Sequence, residues 1–255
     1  MSTECVQTRV QGGITSIRLN RPAKKNALNA EAFYQIASAL NEARENDHVN
    51  VVVLSGEGGN FCSGMDLSAS FDEGSKSYDD CVKAVIEFDK PVIAAVNGIA
   101  IGGGATIPMH CDLVYVTPSL KMRLPFVNLG LVPEFASSYM LQANIGARRA
   151  AELMYTAKWI DAELAMEVGI ATAIVPEKEL MERALQAAEE IAQWPVGALK
   201  ATKQCLKQAH TSNIQQALDI ERTLMLQQAG SPENTEAIMA FMEKREPDFK
   251  KLLQS

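Results

Sequence analysis

Apolar positions follow two different rhythms along this chain. Over residues 6–19 two short apolar runs flank Gly12-Gly13, which predicts a β-hairpin with Ile14, Ile17 and Leu19 in its second strand. Residues 20–26, with Pro22 among lysines and asparagines, break that pattern and predict a loop. Asn29 then stands before apolar positions at helical spacing, Phe33, Ile36, Ala37 and Leu40, the mark of a capped amphipathic helix. Residues 49–55 and 90–96 are apolar runs without alternation, as in strands buried on both faces. A glycine-rich loop over 56–64 follows the first run, and a helix around 78–88 precedes the second. Residues 113–116 continue the series. Strands alternating with helices predict a mostly parallel sheet.

From residue 147 onward the rhythm is helical. Helices are expected over 148–155, 161–168, 179–193, 197–210, 214–229 and 232–244, with 169–175 a short extended link. The chain therefore reads as α/β first and helical last, without internal repeats.

Composition narrows the function classes. The 255 residues carry a net charge of −7, which disfavours nucleic acid as a partner because phosphate backbones require a basic face. Five widely spaced cysteines with no Cys-x-x-Cys suggest reduced thiols and no zinc site. Only three histidines are present, His48, His110 and His210, too few to support a histidine-based metal cluster. No apolar run has transmembrane length, Met1-Ser2-Thr3-Glu4 lacks a signal pattern, and Leu253-Gln254-Ser255 is not the usual peroxisomal tripeptide. A cytoplasmic protein without a membrane partner is the expectation.

Two glycine stretches carry candidate chemistry. Gly102-Gly103-Gly104 and the turn Phe61-Cys62-Ser63-Gly64-Met65-Asp66-Leu67 both follow apolar runs. Bare main chain at such turns can aim N–H groups at a developing negative charge, helped in the first case by a short helix N-terminus. Tight turns alone also explain both stretches. Neither matches a dinucleotide or P-loop fingerprint. Glu134 lies among Leu129, Leu131, Val132 and Phe135, where burial would raise its pKa and suit it as a base. Taken by itself, Pro133-Glu134 reads first as a helix start. Lys24, Lys25, Lys244 and Arg245 can bind phosphates or be ordinary surface charges. His110 and Cys111 read as core, Asp112 as a cap or loop fastener.

The ordered set of motifs resembles the crotonase (enoyl-CoA hydratase/isomerase) superfamily. It comprises Leu19-Asn20-Arg21-Pro22 with Asn26-Ala27-Leu28, the 61–67 turn, Lys90-Pro91-Val92-Ile93-Ala94-Ala95-Val96-Asn97-Gly98, the glycine triplet, Cys111-Asp112, and Phe241-Met242-Glu243-Lys244-Arg245. The resemblance implies repeated ββα units forming a spiral core over 1–195, and a helical trimerisation region over 196–255, in trimers or hexamers. It implies a coenzyme A thioester substrate, with no other cofactor and no metal. The main-chain N–H groups of Met65 and Gly103 would form the oxyanion hole. Lys24, Lys25, Ala27, Asp66, Leu67, Phe241 and Lys244 would contact coenzyme A, Phe241 and Lys244 in some cases from a neighbouring subunit. Thr106, Phe126 and Leu131 would line the acyl pocket, whose depth would depend on 68–78.

The sequence departs from the hydratases of that superfamily at two positions. Hydratases carry one glutamate two residues after the triplet, here Thr106, and another in a Pro-Glu pair, here Pro125-Phe126. Water addition needs polar groups to hold and deprotonate water. What remains, Pro133-Glu134 followed by Ser137-Ser138-Tyr139, looks like the Δ3,Δ2-enoyl-CoA isomerases with their single glutamate. The expectation is therefore an isomerase taking 3-enoyl-CoA to trans-2-enoyl-CoA in the oxidation of unsaturated fatty acids, with Glu134 as its acid–base residue. The alternatives are another crotonase reaction on an acyl-CoA (hydration, thioester hydrolysis or decarboxylation) and a non-catalytic acyl-CoA-binding protein. Pro108 is a further departure, expected to loosen the turn after the triplet.

Overall fold

The computed structural model describes residues 4–68 and 75–252; the terminal tripeptides and residues 69–74 lie outside it. The hairpin forms as β1 (Val6–Gln11) and β2 (Ile14–Leu19), paired antiparallel. Thereafter β2 pairs in parallel with β3 (Val51–Gly56), β3 with β4 (Val92–Val96), β4 with β6 (Leu113–Val116), and β6 with the two-residue β8 (Ala173–Ile174). Among the described residues this gives a six-stranded sheet in the order β1-β2-β3-β4-β6-β8.

The uninterrupted apolar runs are explained by cover on both faces. Val52, Leu54, Val92, Ala94, Val96, Val114 and Val116 enter the larger core with α1 (Ala30–Glu45) and α2 (Ser75–Glu87). Val51, Val53, Ile93, Ala95 and Tyr115 point the other way, onto Leu180, Ala184, Ala187 and Ala188 of α7 (Leu180–Ala192). Successive strand residues alternate faces, so a strand covered twice must be apolar at every position. Asn29 caps α1 as expected, its side chain accepting from Ala32 N at 3.0 Å, a cap worth about 1 kcal/mol.

Two short strands, β5 (Ile99–Ile101) and β7 (Lys121–Arg123), form a second, parallel pair that the hydropathy pattern does not reveal. Three residues are too few to show a period of two. Between them α3 (Gly103–Thr106) runs into a 3-10 turn, Ile107–His110, where Pro108 sits in the first turn. Pro108 thus marks the change from α to 3-10 winding. The helical half begins earlier than expected, with α4 (Ser137–Ile145). It continues through α5 (Ala147–Thr156), α6 (Ala162–Glu167), α8 (Val196–Gln208), α9 (Thr211–Gln228), α10 (Pro232–Glu243) and α11 (Phe249–Leu252). Helix α9 packs on α4, and α10 on the turn Val127–Leu129. No helix among the described residues is long and apolar enough to cross a membrane.

Candidate active site

The two glycine turns are built against each other. Cys62 bridges Ala100 in parallel, with Cys62 N donating to Ile99 O and Ile101 N to Cys62 O, both at 3.0 Å. A Cβ on Gly64 would lie 2.7 Å from Ile101 O, and one on Gly104 would lie 2.2 Å from Cys62 O. Both distances are below any tolerable contact, so glycine is required by close main-chain approach as well as by the φ of +86° at Gly64. On the outer side Leu28 bridges Met65: Leu28 N donates to Gly64 O at 2.8 Å and Asp66 N to Leu28 O at 2.9 Å. The Met65 N–H is left out of that ladder, because residues along a strand direct their N–H groups to alternate edges. Gly102 N is taken by Arg123 O at 3.1 Å, and Gly103 follows as the first residue of α3. Among the described residues no hydrogen bond uses the N–H of Met65 or of Gly103.

Glu134 reaches the same place from the opposite side. A Cβ on Gly103 would stand 3.5 Å from Glu134 Oε1, and one on Gly102 would stand 3.8 Å from it. The other carboxylate oxygen, Oε2, accepts from the Tyr78 hydroxyl at 3.2 Å. The Tyr78 ring is fixed edge-on by Phe33 and Phe135, with centroids 5.4 and 5.5 Å away. Burial raises the Glu134 carboxyl to about 7; the Tyr78 hydrogen bond opposes the rise and the Glu221 carboxylate adds to it. A carboxyl with a pKa near neutrality can both take and return a proton.

Pro133-Glu134 is not a helix start. Glu134 lies three residues ahead of α4, in a turn closed by Ser137 N donating to Glu134 O at 3.0 Å. Phe135 and Ala136 both adopt left-handed φ, 56° and 53°, at a cost of about 1–3 kcal/mol each for non-glycine residues. His110 Nε2–H donates to Phe135 O at 2.6 Å. Burial holds the His110 imidazole down at about 4, so it is neutral at ordinary pH. Tyr78, His110 and Glu221 carry no signal of this role in the sequence: their relation to Glu134 exists only across elements, and their own neighbourhoods hold no motif.

The remaining predicted residues fall into three groups. Arg21, Lys24, Lys25 and Ala27 lie on one loop with the 61–66 turn. Asn26 anchors it by donating to Glu57 O at 2.9 Å and Asn60 O at 2.7 Å. Ser63 ties in through Lys25 O at 3.0 Å and Lys24 O at 3.2 Å. Lys24 and Lys25 are exposed, Ala27 is buried, and Leu67 is half-buried beside Asp66. The Asp66 carboxylate is engaged within the protein, by Ser68 and by Arg21 at 3.0 Å. The Ser68 hydrogen bond chiefly, with Arg21, holds its pKa below the usual value. Thr106 and Phe126 are buried and Leu131 is half-buried; Thr106 Oγ1 faces Gly103 O at 3.5 Å. Phe241, 63% exposed, and Lys244 stand at the end of α10. Among the described residues no hydrogen bond or ion pair joins these two to the 20–27 loop. Of the segment expected to set pocket depth, residues 69–74 lie outside the described residues.

Known proteins of similar shape and sequence agree on a lineage. A solved enoyl-CoA hydratase/isomerase from Pseudoalteromonas atlantica superposes with a TM-score of 0.92 at 34% identity, over 96% of this chain and 99% of that one. Among curated proteins, the 1,2-epoxyphenylacetyl-CoA isomerase of Escherichia coli is 32% identical over 96% of this chain and 98% of its own length. The 2,3-dehydroadipyl-CoA hydratase of the same organism is 31% identical, over 97% and 99%. The model of the enoyl-CoA hydratase/isomerase family matches residues 9–252, and with glycine turns and carboxylate converging as described, the chain belongs to that family, within the crotonase superfamily.

Proposed function

We propose that this enzyme isomerises a 3-enoyl-CoA to the trans-2-enoyl-CoA, with Glu134 carrying the proton. The supporting observation is the division of labour on one carboxylate. Oε2 is held by Tyr78, and Oε1 faces Gly102 and Gly103. With the thioester oxygen bound by the N–H groups of Met65 and Gly103, Oε1 takes a proton from C2. The C2–H electrons form a C1=C2 bond and the carbonyl π electrons move onto the thioester oxygen, giving a dienolate. As the carbonyl re-forms, the C1=C2 electrons shift to C2=C3 and the C3=C4 electrons take the same proton back from Oε1 at C4. Nothing is oxidised or reduced, and coenzyme A enters only as part of the substrate. The oxyanion donors act on the dienolate more strongly than on the ground state, which is where binding energy accelerates chemistry.

Several relatives are named hydratases, so hydration is the competing reading. It needs groups that hold and activate water. Phe126 is buried and apolar, and the Thr106 hydroxyl faces a main-chain carbonyl. Neither is a second carboxylate. The exposed Lys24 and Lys25 suit the phosphates of coenzyme A. The exposed Phe241 and Lys244 suit a role toward a neighbouring copy in a trimer.

Glu134→Gln tests the assignment. Isomerisation of 3-hexenoyl-CoA should fall ~10²–10⁴-fold with acyl-CoA binding retained. A Gln enzyme that isomerises at the wild-type rate removes Glu134 from the mechanism. Rapid water addition to crotonyl-CoA by the wild type would favour hydration instead.

A further inference from the structure

Helix α4 begins in an unusual way. Its N-cap is Ala136, which has no side chain able to cap, and both Ala136 and the preceding Phe135 hold left-handed φ. Helix starts are ordinarily capped by a local Ser, Thr, Asp or Asn. Here the cap comes from Glu221, in the middle of α9 and 85 residues away. Its Oε2 accepts from Ala136 N at 2.7 Å and its Oε1 from Ser138 N at 2.8 Å. Glu221 is only 5% exposed, and among the described residues no Lys or Arg pairs with it. A buried carboxylate without a counter-ion is costly unless hydrogen bonds and dipoles repay it. Both oxygens are committed to one turn, the turn that carries Glu134. His110 also grips that turn, through Phe135 O. The Tyr139 hydroxyl, 2.8 Å from His210 Nδ1, adds a second link from α4 to the start of α9.

We propose that Glu221 is a positioning residue for Glu134: from α9 it holds the 134–138 turn in the strained conformation that aims Oε1 at Gly102 and Gly103, making the C-terminal helices part of the active site. The inference rests on the reading of Glu134 as the acid–base group. Without the clamp the left-handed pair relaxes toward ordinary φ, and the carboxylate swings away from the glycine turns. The groups facing Glu134 are Tyr78 from α2, Glu221 from α9, and the thiols of Cys62 and Cys81. Burial lifts Cys62 to about 12 and Cys81 still higher, so both stay neutral. Glu221 is therefore the like charge whose removal lowers the Glu134 pKa.

The test is the pH profile of the full-length enzyme on 3-hexenoyl-CoA for wild type, Glu221→Gln and Glu221→Asp, with Glu134→Gln as reference. Gln turns an NH2 group toward one of the two main-chain donors. Its kcat should fall about 10–100-fold, the penalty of sub-ångström to ångström misplacement. KM should stay within about threefold, since only transition-state geometry is lost. The acidic limb should move below that of the wild type. Asp keeps the charge but is a methylene too short to reach both donors, so kcat should fall while the limb stays. Adding Ala136→Gly to Glu221→Gln should recover part of kcat, because glycine takes positive φ without strain. Wild-type kcat and limb in folded Glu221→Gln overturn the proposal; if that variant does not fold, wild-type kcat in Glu221→Asp overturns it. A Glu134→Gln enzyme that still turns over overturns the acid–base reading itself and leaves a distinct signature.

Discussion

The glycine side of the site and the Glu134 side are held in opposite ways. At Gly64 and Gly102–Gly104 position is set mainly by main chain: Cys62 against Ala100, Leu28 against Met65, Gly104 against Cys62 O. At Glu134 position is set by side chains from three distant elements: the Tyr78 hydroxyl, the His110 imidazole and the Glu221 carboxylate. Main-chain ladders keep their geometry through most side-chain substitutions. A carboxylate on a strained turn depends on each group that grips it. The first arrangement suits donors whose aim must not vary, and the second suits a base whose pKa has to be tuned.

Removing the proposed base gives the largest expected effect, a ~10²–10⁴-fold loss for Glu134→Gln. Next comes the main-chain side. Gly103→Pro deletes one N–H at a helix position that tolerates proline, and should cost about 10²–10³-fold in kcat, the usual worth of an oxyanion donor. Circular dichroism must show an intact fold, and an active Gly103→Pro enzyme would remove that N–H from the mechanism. The pH profile probes the side-chain side. Glu134 must be ionised to accept a proton, so kcat should rise with pH through about 7 and level off above. Tyr78→Phe removes the hydrogen bond that lowers this pKa, so the limb should move to higher pH. A limb displaced upward by about one pH unit lowers kcat at neutrality about fivefold, with the gap closing in alkali. An unmoved limb would mean that Tyr78 does not tune the carboxylate. The smallest effect belongs to Lys24→Ala and Lys25→Ala, each raising KM for acyl-CoA about 2–5-fold in a salt-sensitive way, as befits exposed charges.

The same contrast decides what is visible in the sequence. Strands β3, β4 and β6 are legible because double cover forces an unbroken apolar run. The glycine turns are legible because a Cβ at 2.2 or 2.7 Å from a carbonyl oxygen leaves no alternative residue. Strands β5 and β7 are not, since three residues show no period. The start of helix α4 is hidden because Ser137-Ser138 follow an alanine cap that signals nothing locally. Glu134 itself stands out by its apolar neighbours, yet Tyr78 and Glu221 lie 56 and 85 residues from the groups they hold. Glu221 looks like any solvated acid on a long helix. His110 reads as core and is core, but the bond from its Nε2 to Phe135 O has no trace in composition or spacing.

The stitching of the 20–27 loop to the 57–66 segment has a mechanical consequence. Asn26 grips Glu57 O and Asn60 O, Ser63 grips the carbonyls of Lys24 and Lys25, and Arg21 reaches Asp66. The lysines and the Met65 N–H therefore belong to one stiff piece, like the two ends of a ruler. A ligand seated at the lysine end finds its far end already registered against the glycine turns, with no hinge between to absorb the strain. On the proposed reading, attraction at the remote handle would be delivered to the reacting carbon as rate, and a thioester cut short of its handle should lose turnover as well as grip.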